Sequence, residues 1–122
     1  MRPEHEVCFL IGHDASVLWA DTDGGPSALP DSRRRWDQVW RHREQLAEIV
    51  HTHPRGPLAF SVVDETTMAA IDAALGRPLA YGVVTPDAYL RRDPQDHRTR
   101  VTDEPWWTTL LRAASGIAGG DA

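Results

Sequence analysis

Two histidines, His51 and His53, stand two positions apart in a stretch whose residues favour a β-strand. Successive side chains of a strand point to opposite faces, so both imidazoles project to the same side and can converge on one ion. A third ligand must come from another element, and Asp64 falls in the first turn of the next predicted helix. Two imidazoles and a carboxylate are typical of catalytic zinc sites, where water takes the fourth position. The spacing therefore predicts one zinc ion per chain.

These residues also have simpler explanations. His51 and His53 could be ordinary histidines at the end of a strand. Ser61, followed three positions later by Asp64, matches the pattern in which a serine and an acidic residue cap the first turn of a helix. Such a cap stabilises a helix by about 0.5 to 2 kcal/mol without any function. Both interpretations of Ser61 and Asp64 stay open on this basis.

The composition narrows the classes of protein and of site. Cys8 is the only cysteine, which excludes an internal disulfide and a zinc site built from cysteines, so any metal must be held by histidine and carboxylate. The length of 122 residues, with 41% hydrophobic and 25% charged residues, predicts a single globular domain over residues 1–115 and a flexible tail over 116–122. The pI of about 5.6 and the net charge of −5 argue against a nucleic-acid partner. The chain has neither an apolar run long enough for a membrane span nor the pattern of a signal peptide, so we expect a cytoplasmic protein without a membrane partner.

Short strands and helices alternate along the sequence. Apolar runs predict strands at 7–11, 16–20, 48–53, 79–85 and 88–91, and helical periodicity predicts helices at 33–46, at 61–75 and from 105 onward. Glycine and proline mark a loop at 21–30, closed by Asp31 or Ser32 as a helix cap, and residues 92–104 are expected to be irregular. This order predicts an α/β or α+β fold in which a mixed central sheet is flanked by helices.

Helical spacing also predicts which side chains are buried. The second helix is expected to bury the side that carries Val62, Val63, Thr66, Ala70, Ile71 and either Ala74 or Leu75. Four tryptophans at helical spacing are expected to build core or a surface for self-association: Trp36, Trp40, Trp106 and Trp107.

The segment from His51 to Asp64 resembles a known signature at every specified position. That signature, His-Ser/Thr-His-Pro-x6-Ser-x-x-Asp, belongs to the JAMM (MPN+) zinc metalloproteases. The family also places a glutamate on an early strand, and the segment from Glu6 to Gly12 is similar to it, with Phe9 where the family commonly has glycine. Glu4 lies on the same face of that strand and is a second candidate. The resemblance covers residues 6–91 and implies a JAB/MPN-like fold, which has a cytidine-deaminase-like architecture.

The resemblance also implies an activity. Glu6 would be the general acid and base, and Ser61 would donate a hydrogen bond to the oxyanion of the reaction. The implied substrate is an amide or isopeptide bond at the C-terminus of a ubiquitin-like protein, cleaved by a compact prokaryotic form of the enzyme. Two alternatives remain open: trimming of a sulfur-carrier protein, and a scaffold of the same fold without catalysis. A homodimer or an activating partner also stays open.

Overall fold

The computed structural model of this chain describes residues 4–22 and 33–117. The elements are β1 (Cys8–Gly12), β2 (Val17–Asp21), α1 (Arg33–Arg41), β3 (Leu46–Thr52), α2 (Val62–Leu75), β4 (Ala80–Val84), β5 (Tyr89–Arg92), β6 (Arg98–Arg100) and α3 (Trp107–Ser115). The mixed α/β fold class expected from the sequence is confirmed. The predicted cap at Asp31 or Ser32 and most of the predicted loop lie outside the described residues.

The six strands form one sheet in the order β2-β1-β3-β4-β5-β6. β3 and β4 are parallel and α2 connects them, whereas the other neighbouring strands are antiparallel. A parallel pair needs such a crossover because the chain must return to the edge where the first strand began. Residues 53–61 therefore connect the C-terminal end of β3, a central strand, to the start of α2.

Helices cover both faces of the sheet, and side chains of β1 and β3 alternate between the two cores. On one face, α1 and α2 pack against a cluster that includes Leu10 and Ile49. On the other face, α3 packs against a cluster that includes Phe9 and Val50. His51 follows the alternation of Ile49 and lies on the face of α1 and α2, and Thr52 lies on the face of α3.

The first helix is shorter than predicted. It ends at Arg41, and Leu46, expected at its end, is instead a buried residue of β3 that pairs with Gly12. A single apolar residue such as Leu46 fits the periodicity of a helix as well as that of a strand. The helical pattern alone therefore predicted a helix that was too long. The guanidinium of Arg77 donates to the carbonyl oxygens of Arg43 and Leu46 at 2.6 and 2.9 Å. These bonds satisfy carbonyl groups of the turn after α1 and of the first residue of β3.

The predicted buried side of α2 was wrong at most of its positions. Val62 and Val63 are 83% and 62% exposed, and Thr66, Ala70 and Ala74 are exposed as well. Of the predicted residues, Ile71 is buried and Leu75 packs against the core. The inward face instead carries Asp64, Met68 and Ile71, which are spaced by four and three residues and so lie on one stripe of the helix. The capped first turn thus directs a carboxylate toward the sheet rather than a valine.

Residues 92–104 contain a strand that the sequence did not predict. β6 is a short edge strand whose three residues are all exposed, so no alternation of apolar and polar residues marks it. Pairing with β5 defines it, and Arg98 ties it to α2 by two hydrogen bonds to Glu65 of 2.6 and 3.0 Å.

The four tryptophans divide between core and surface. Trp107 is buried and Trp36 packs against the core of the opposite face, as expected. Trp106 is exposed, because α3 turns Trp107 and Leu111 toward the sheet instead. Trp40 is also exposed, with the guanidinium of Arg43 4.2 Å from its ring centre. Across the two described ranges, we find no helix that is long and apolar enough to cross a membrane.

Candidate metal centre

The end of β3 brings the two histidine rings together. The Nε2 atoms of His51 and His53 lie 3.0 Å apart, and the rings meet edge to face. The backbone N–H of His53 donates to the carbonyl of Val84 at 2.9 Å, which continues the pairing with β4 one residue past the strand. Both imidazoles are therefore held by the sheet, as their spacing in the sequence predicts.

The first turn of α2 places a carboxylate against both rings. Oδ2 of Asp64 lies 3.3 Å from Nε2 of His51 and 3.4 Å from Nε2 of His53. The same Oδ2 accepts a hydrogen bond of 2.8 Å from the backbone N–H of Ser61, while the backbone N–H of Asp64 donates to Oγ of Ser61 at 3.0 Å. The cap and the candidate ligand are thus one arrangement, so the two interpretations of Ser61 and Asp64 do not compete.

Glu6 lies beside the two histidines. Its Oε1 lies 3.7 Å from Nε2 of His53, and its side chain is buried. Glu4, the second candidate, is partly exposed and accepts a hydrogen bond of 3.2 Å from Nε of Arg55. The structure therefore puts Glu6, rather than Glu4, beside the two imidazoles.

Glu6 lies before β1, which begins at Cys8, so the sheet pairing of β1 does not include it. Hydrogen bonds of the neighbouring residues hold this segment in place instead. The backbone N–H of Val7 donates to Oγ1 of Thr52 at 2.9 Å, and Thr52 Oγ1 lies 2.9 Å from Oγ of Ser115 in α3. Ser115 also donates to the carbonyl of His5. Thr52 and Ser115 are buried. The alternation of β3 correctly predicts that Thr52 points away from the histidines, but no signal in the sequence connects it to Ser115.

The distances among the donor atoms fit a small divalent cation. In a tetrahedral zinc site with bonds of about 2.0 to 2.1 Å, neighbouring ligand atoms lie about 3.3 to 3.4 Å apart. The three separations among His51 Nε2, His53 Nε2 and Asp64 Oδ2 are 3.0, 3.3 and 3.4 Å. Donor atoms of Glu6, His51 and His53 also lie within 4.8 Å of one another. These residues could hold a metal ion.

Electrostatics at this site favour a cation as well. Burial would raise the pKa of Asp64, but hydrogen bonds from His51 and His53 outweigh it and hold the pKa well below its usual range. Burial would lower the pKa of His53, but the hydrogen bonds to Asp64 and to the carbonyl of Pro57, together with the charges of Asp64 and Glu6, raise it. Asp64 is consequently ionised at neutral pH, and the charges around the rings attract positive charge.

Ser61 can donate a hydrogen bond at this site. Ser61 is exposed, and its Oγ already accepts the cap hydrogen bond from Asp64, so its hydroxyl proton is available for donation to a bound molecule.

Cys8 pairs with His51 across the sheet and is buried. Burial raises the pKa of its thiol to about 12, with only partial opposition from Arg35. Cys8 is therefore a neutral thiol at neutral pH and a poor metal ligand.

Comparison with known proteins gives no family for this chain. Neither the models of known protein families nor the curated proteins contain a match to its sequence.

Proposed function

We propose that this protein is a zinc-dependent hydrolase of the JAMM (MPN+) type, which cleaves an amide bond at the C-terminus of a ubiquitin-like protein. One observation carries the proposal: donor atoms of His51, His53 and Asp64 converge at 3.0 to 3.4 Å, with the carboxylate of Glu6 next to them. The signature from His51 to Asp64 supports the same class. On this proposal the fold is JAB/MPN-like.

The residues of the site have complementary roles in this hydrolysis. His51, His53 and Asp64 would hold a zinc ion, which would supply Lewis acidity and lower the pKa of a coordinated water to about 7. Glu6, at 3.7 Å from His53, takes the proton of the attacking water at its carboxylate and returns it to the leaving amine. The hydroxyl of Ser61 donates to the developing oxyanion, a contact of a kind worth about 2.7 to 4 kcal/mol.

The test is zinc content together with turnover. We would purify the protein without chelator and measure zinc per chain in the wild type, in His53→Ala and in Glu6→Gln. His97→Ala is the matched control, because His97 is an exposed histidine of the hairpin between β5 and β6. We expect about one zinc per chain in the wild type, Glu6→Gln and the control, and little in His53→Ala.

Turnover is measured on ubiquitin that carries one extra alanine at its C-terminus, by mass spectrometry. Wild type and His97→Ala should release the alanine, and Glu6→Gln should not, although it binds zinc. Retained hydrolysis in Glu6→Gln would assign the proton transfer to another group. A protein without zinc in any variant, and without hydrolysis after zinc is added, would instead be a scaffold.

A further inference from the structure

A cavity adjoins the candidate metal centre between α2 and the sheet. Its volume is about 70 Å³, and Glu6, His51 and Asp64 lie in its wall. The rest of the wall is mainly apolar and includes Ile49, Phe60, Val63, Thr67, Met68 and Ile71. The cavity is therefore continuous with the site and differs from it in polarity.

The position of Glu6 decides which part of a substrate meets this cavity. In the proposed reaction, which this inference rests on, Glu6 delivers a proton to the leaving amine, so that amine must lie beside its carboxylate. Because Glu6 is also part of the cavity wall, the carbon atoms attached to an amine beside its carboxylate can enter the cavity. The acyl side of the scissile bond must then extend the other way, past Ser61.

We propose that this cavity is the leaving-group pocket, and that it selects a residue with a small uncharged side chain after the scissile bond. A cavity of about 150 Å³ accommodates benzene, so 70 Å³ offers room for about three carbon atoms, the size of a valine side chain. A larger side chain would require displacement of Phe60, Met68 or Ile71.

Burial disfavours a lysine in the same space. An ammonium among the apolar side chains that form most of the wall would lose its hydration, and the carboxylates of Glu6 and Asp64 that line the cavity face the histidines. An isopeptide bond to a protein lysine carries a four-carbon stem and a whole protein beyond the amine. The pocket consequently favours a peptide bond to a small terminal residue over an isopeptide bond to a protein.

The first arm of the experiment measures binding and does not depend on turnover. Valinamide, phenylalaninamide and lysinamide serve as product mimics, and their binding is followed by the amide NMR shifts of Ile49 and Met68, with zinc and with chelator. We expect valinamide to bind at least tenfold more tightly than the other two. Equal binding of phenylalaninamide or lysinamide overturns the proposal.

Two matched substitutions test whether a change in binding comes from the cavity or from a general effect on α2. Thr67→Ile adds carbon atoms to a residue of the cavity wall, whereas Thr66→Ile makes the same change at its exposed neighbour, which is not part of the wall. Thr67→Ile should weaken valinamide binding at least tenfold, and Thr66→Ile should leave it unchanged. If Thr67→Ile unfolds, Ile71→Val is used instead, because it enlarges the cavity by removing one carbon atom from its wall. The enlarged cavity should bind leucinamide more tightly than the wild type does. Absence of either effect overturns the proposal.

The second arm distinguishes this inference from the proposed function. Ubiquitin extended by valine, phenylalanine or lysine is offered to the zinc-loaded protein. Faster release of valine supports both proposals. Equal release of all three overturns the leaving-group pocket and leaves the hydrolase standing. No release of any residue, with selective binding of valinamide intact, overturns the hydrolase and the leaving-group role together.

Discussion

Nδ1 of His53 lies 2.9 Å from the carbonyl oxygen of Pro57. A carbonyl can only accept, so the ring carries its proton on Nδ1, and Nε2 of a neutral His53 presents a lone pair. That lone pair faces Oδ2 of Asp64 at 3.4 Å. Two such atoms attract one another only through a shared proton or cation, and a backbone carbonyl that orients a histidine in this way is common at metal sites.

Zinc should therefore stabilise the folded protein. At a free concentration about 100 times its dissociation constant, a ligand that binds only the folded state adds about 2.7 kcal/mol. For a domain of this size we expect a rise in Tm on the order of 10 °C, which EDTA reverses. Thermal unfolding followed by circular dichroism measures the change. His97→Ala should show the full rise, and the same rise in His53→Ala would contradict the assigned ligands.

Two substitutions of Asp64 should separate its roles as cap and as ligand. In Asp64→Asn the amide oxygen can still accept from the N–H of Ser61, but the ionised ligand is lost; Asp64→Ala removes both. Both variants should bind zinc at least about 100-fold more weakly. Urea unfolding of the metal-free proteins should show Asp64→Ala less stable than Asp64→Asn by about 1 kcal/mol. Equal stabilities would show that the cap contributes nothing measurable.

Ser115→Ala should disturb Glu6 without affecting zinc. The substitution removes the Oγ that lies beside the hydroxyl of Thr52 and that donates to the carbonyl of His5, at a cost of about 1 to 3 kcal/mol in the free energy of unfolding. Because Ser115 contacts no candidate ligand, zinc affinity should change less than about twofold, while turnover falls on the order of tenfold as the segment that carries Glu6 loosens. Thr109→Ala, at an exposed position of α3, is the control. A parallel loss of zinc would contradict this separation.

Glu48 predicts a pH dependence that is independent of the metal centre. Burial raises the pKa of Glu48 above 4.5, against the hydrogen bond from Tyr89 and the charge of Arg91. The folded state thus favours the protonated carboxyl, and this contribution to stability is lost as the pH rises through the folded-state pKa. Glutamine does not titrate, so Glu48→Gln should gain stability relative to the wild type as the pH rises from the unfolded-state pKa of about 4 through the folded-state pKa. Urea unfolding at several pH values measures the gain.

Glu104 is the matched comparison for Glu48. The hydrogen bonds from Arg112, at 2.7 and 3.1 Å, hold the pKa of Glu104 below its usual value despite partial burial. Its contribution to stability is present above the unfolded-state pKa and is lost as the pH falls. Glu104→Gln should therefore lose stability relative to the wild type as the pH rises toward the unfolded-state pKa of about 4, whereas Glu48→Gln gains stability only above that pH. The same sign for both variants would rule out burial as the cause at Glu48.

The sequence predicted most elements because their signals are local. The period of two in β3 predicted that His51 and His53 share a face, and Ser61 and Gly76 marked the two ends of α2. Gly76 has φ of 72°, a backbone conformation that glycine adopts without strain. Such signals involve one to four consecutive residues, so they need no knowledge of the rest of the fold.

The features that the sequence did not predict depend on contacts between distant residues. The edge strand β6 exists through its pairing with β5, and its composition carries no apolar pattern. The hydrogen bonds that join Ser115 with Thr52 and with the carbonyl of His5 span 63 and 110 residues. Val63 was expected in the core because valine is apolar, but the direction of Asp64 sets the rotation of the first turn and exposes Val63.

The oxygen that caps α2 is also the oxygen that faces both histidines, and this has a consequence for inheritance. A descendant without the proposed hydrolytic activity would still need Ser61 and Asp64 to begin the helix, so selection for folding alone would retain them. His51 and His53 take no part in the cap of α2, so other residues could replace them without loss of the cap. Among relatives of this chain, retention of the histidine pair, rather than of the serine and aspartate, should therefore mark the members that still catalyse.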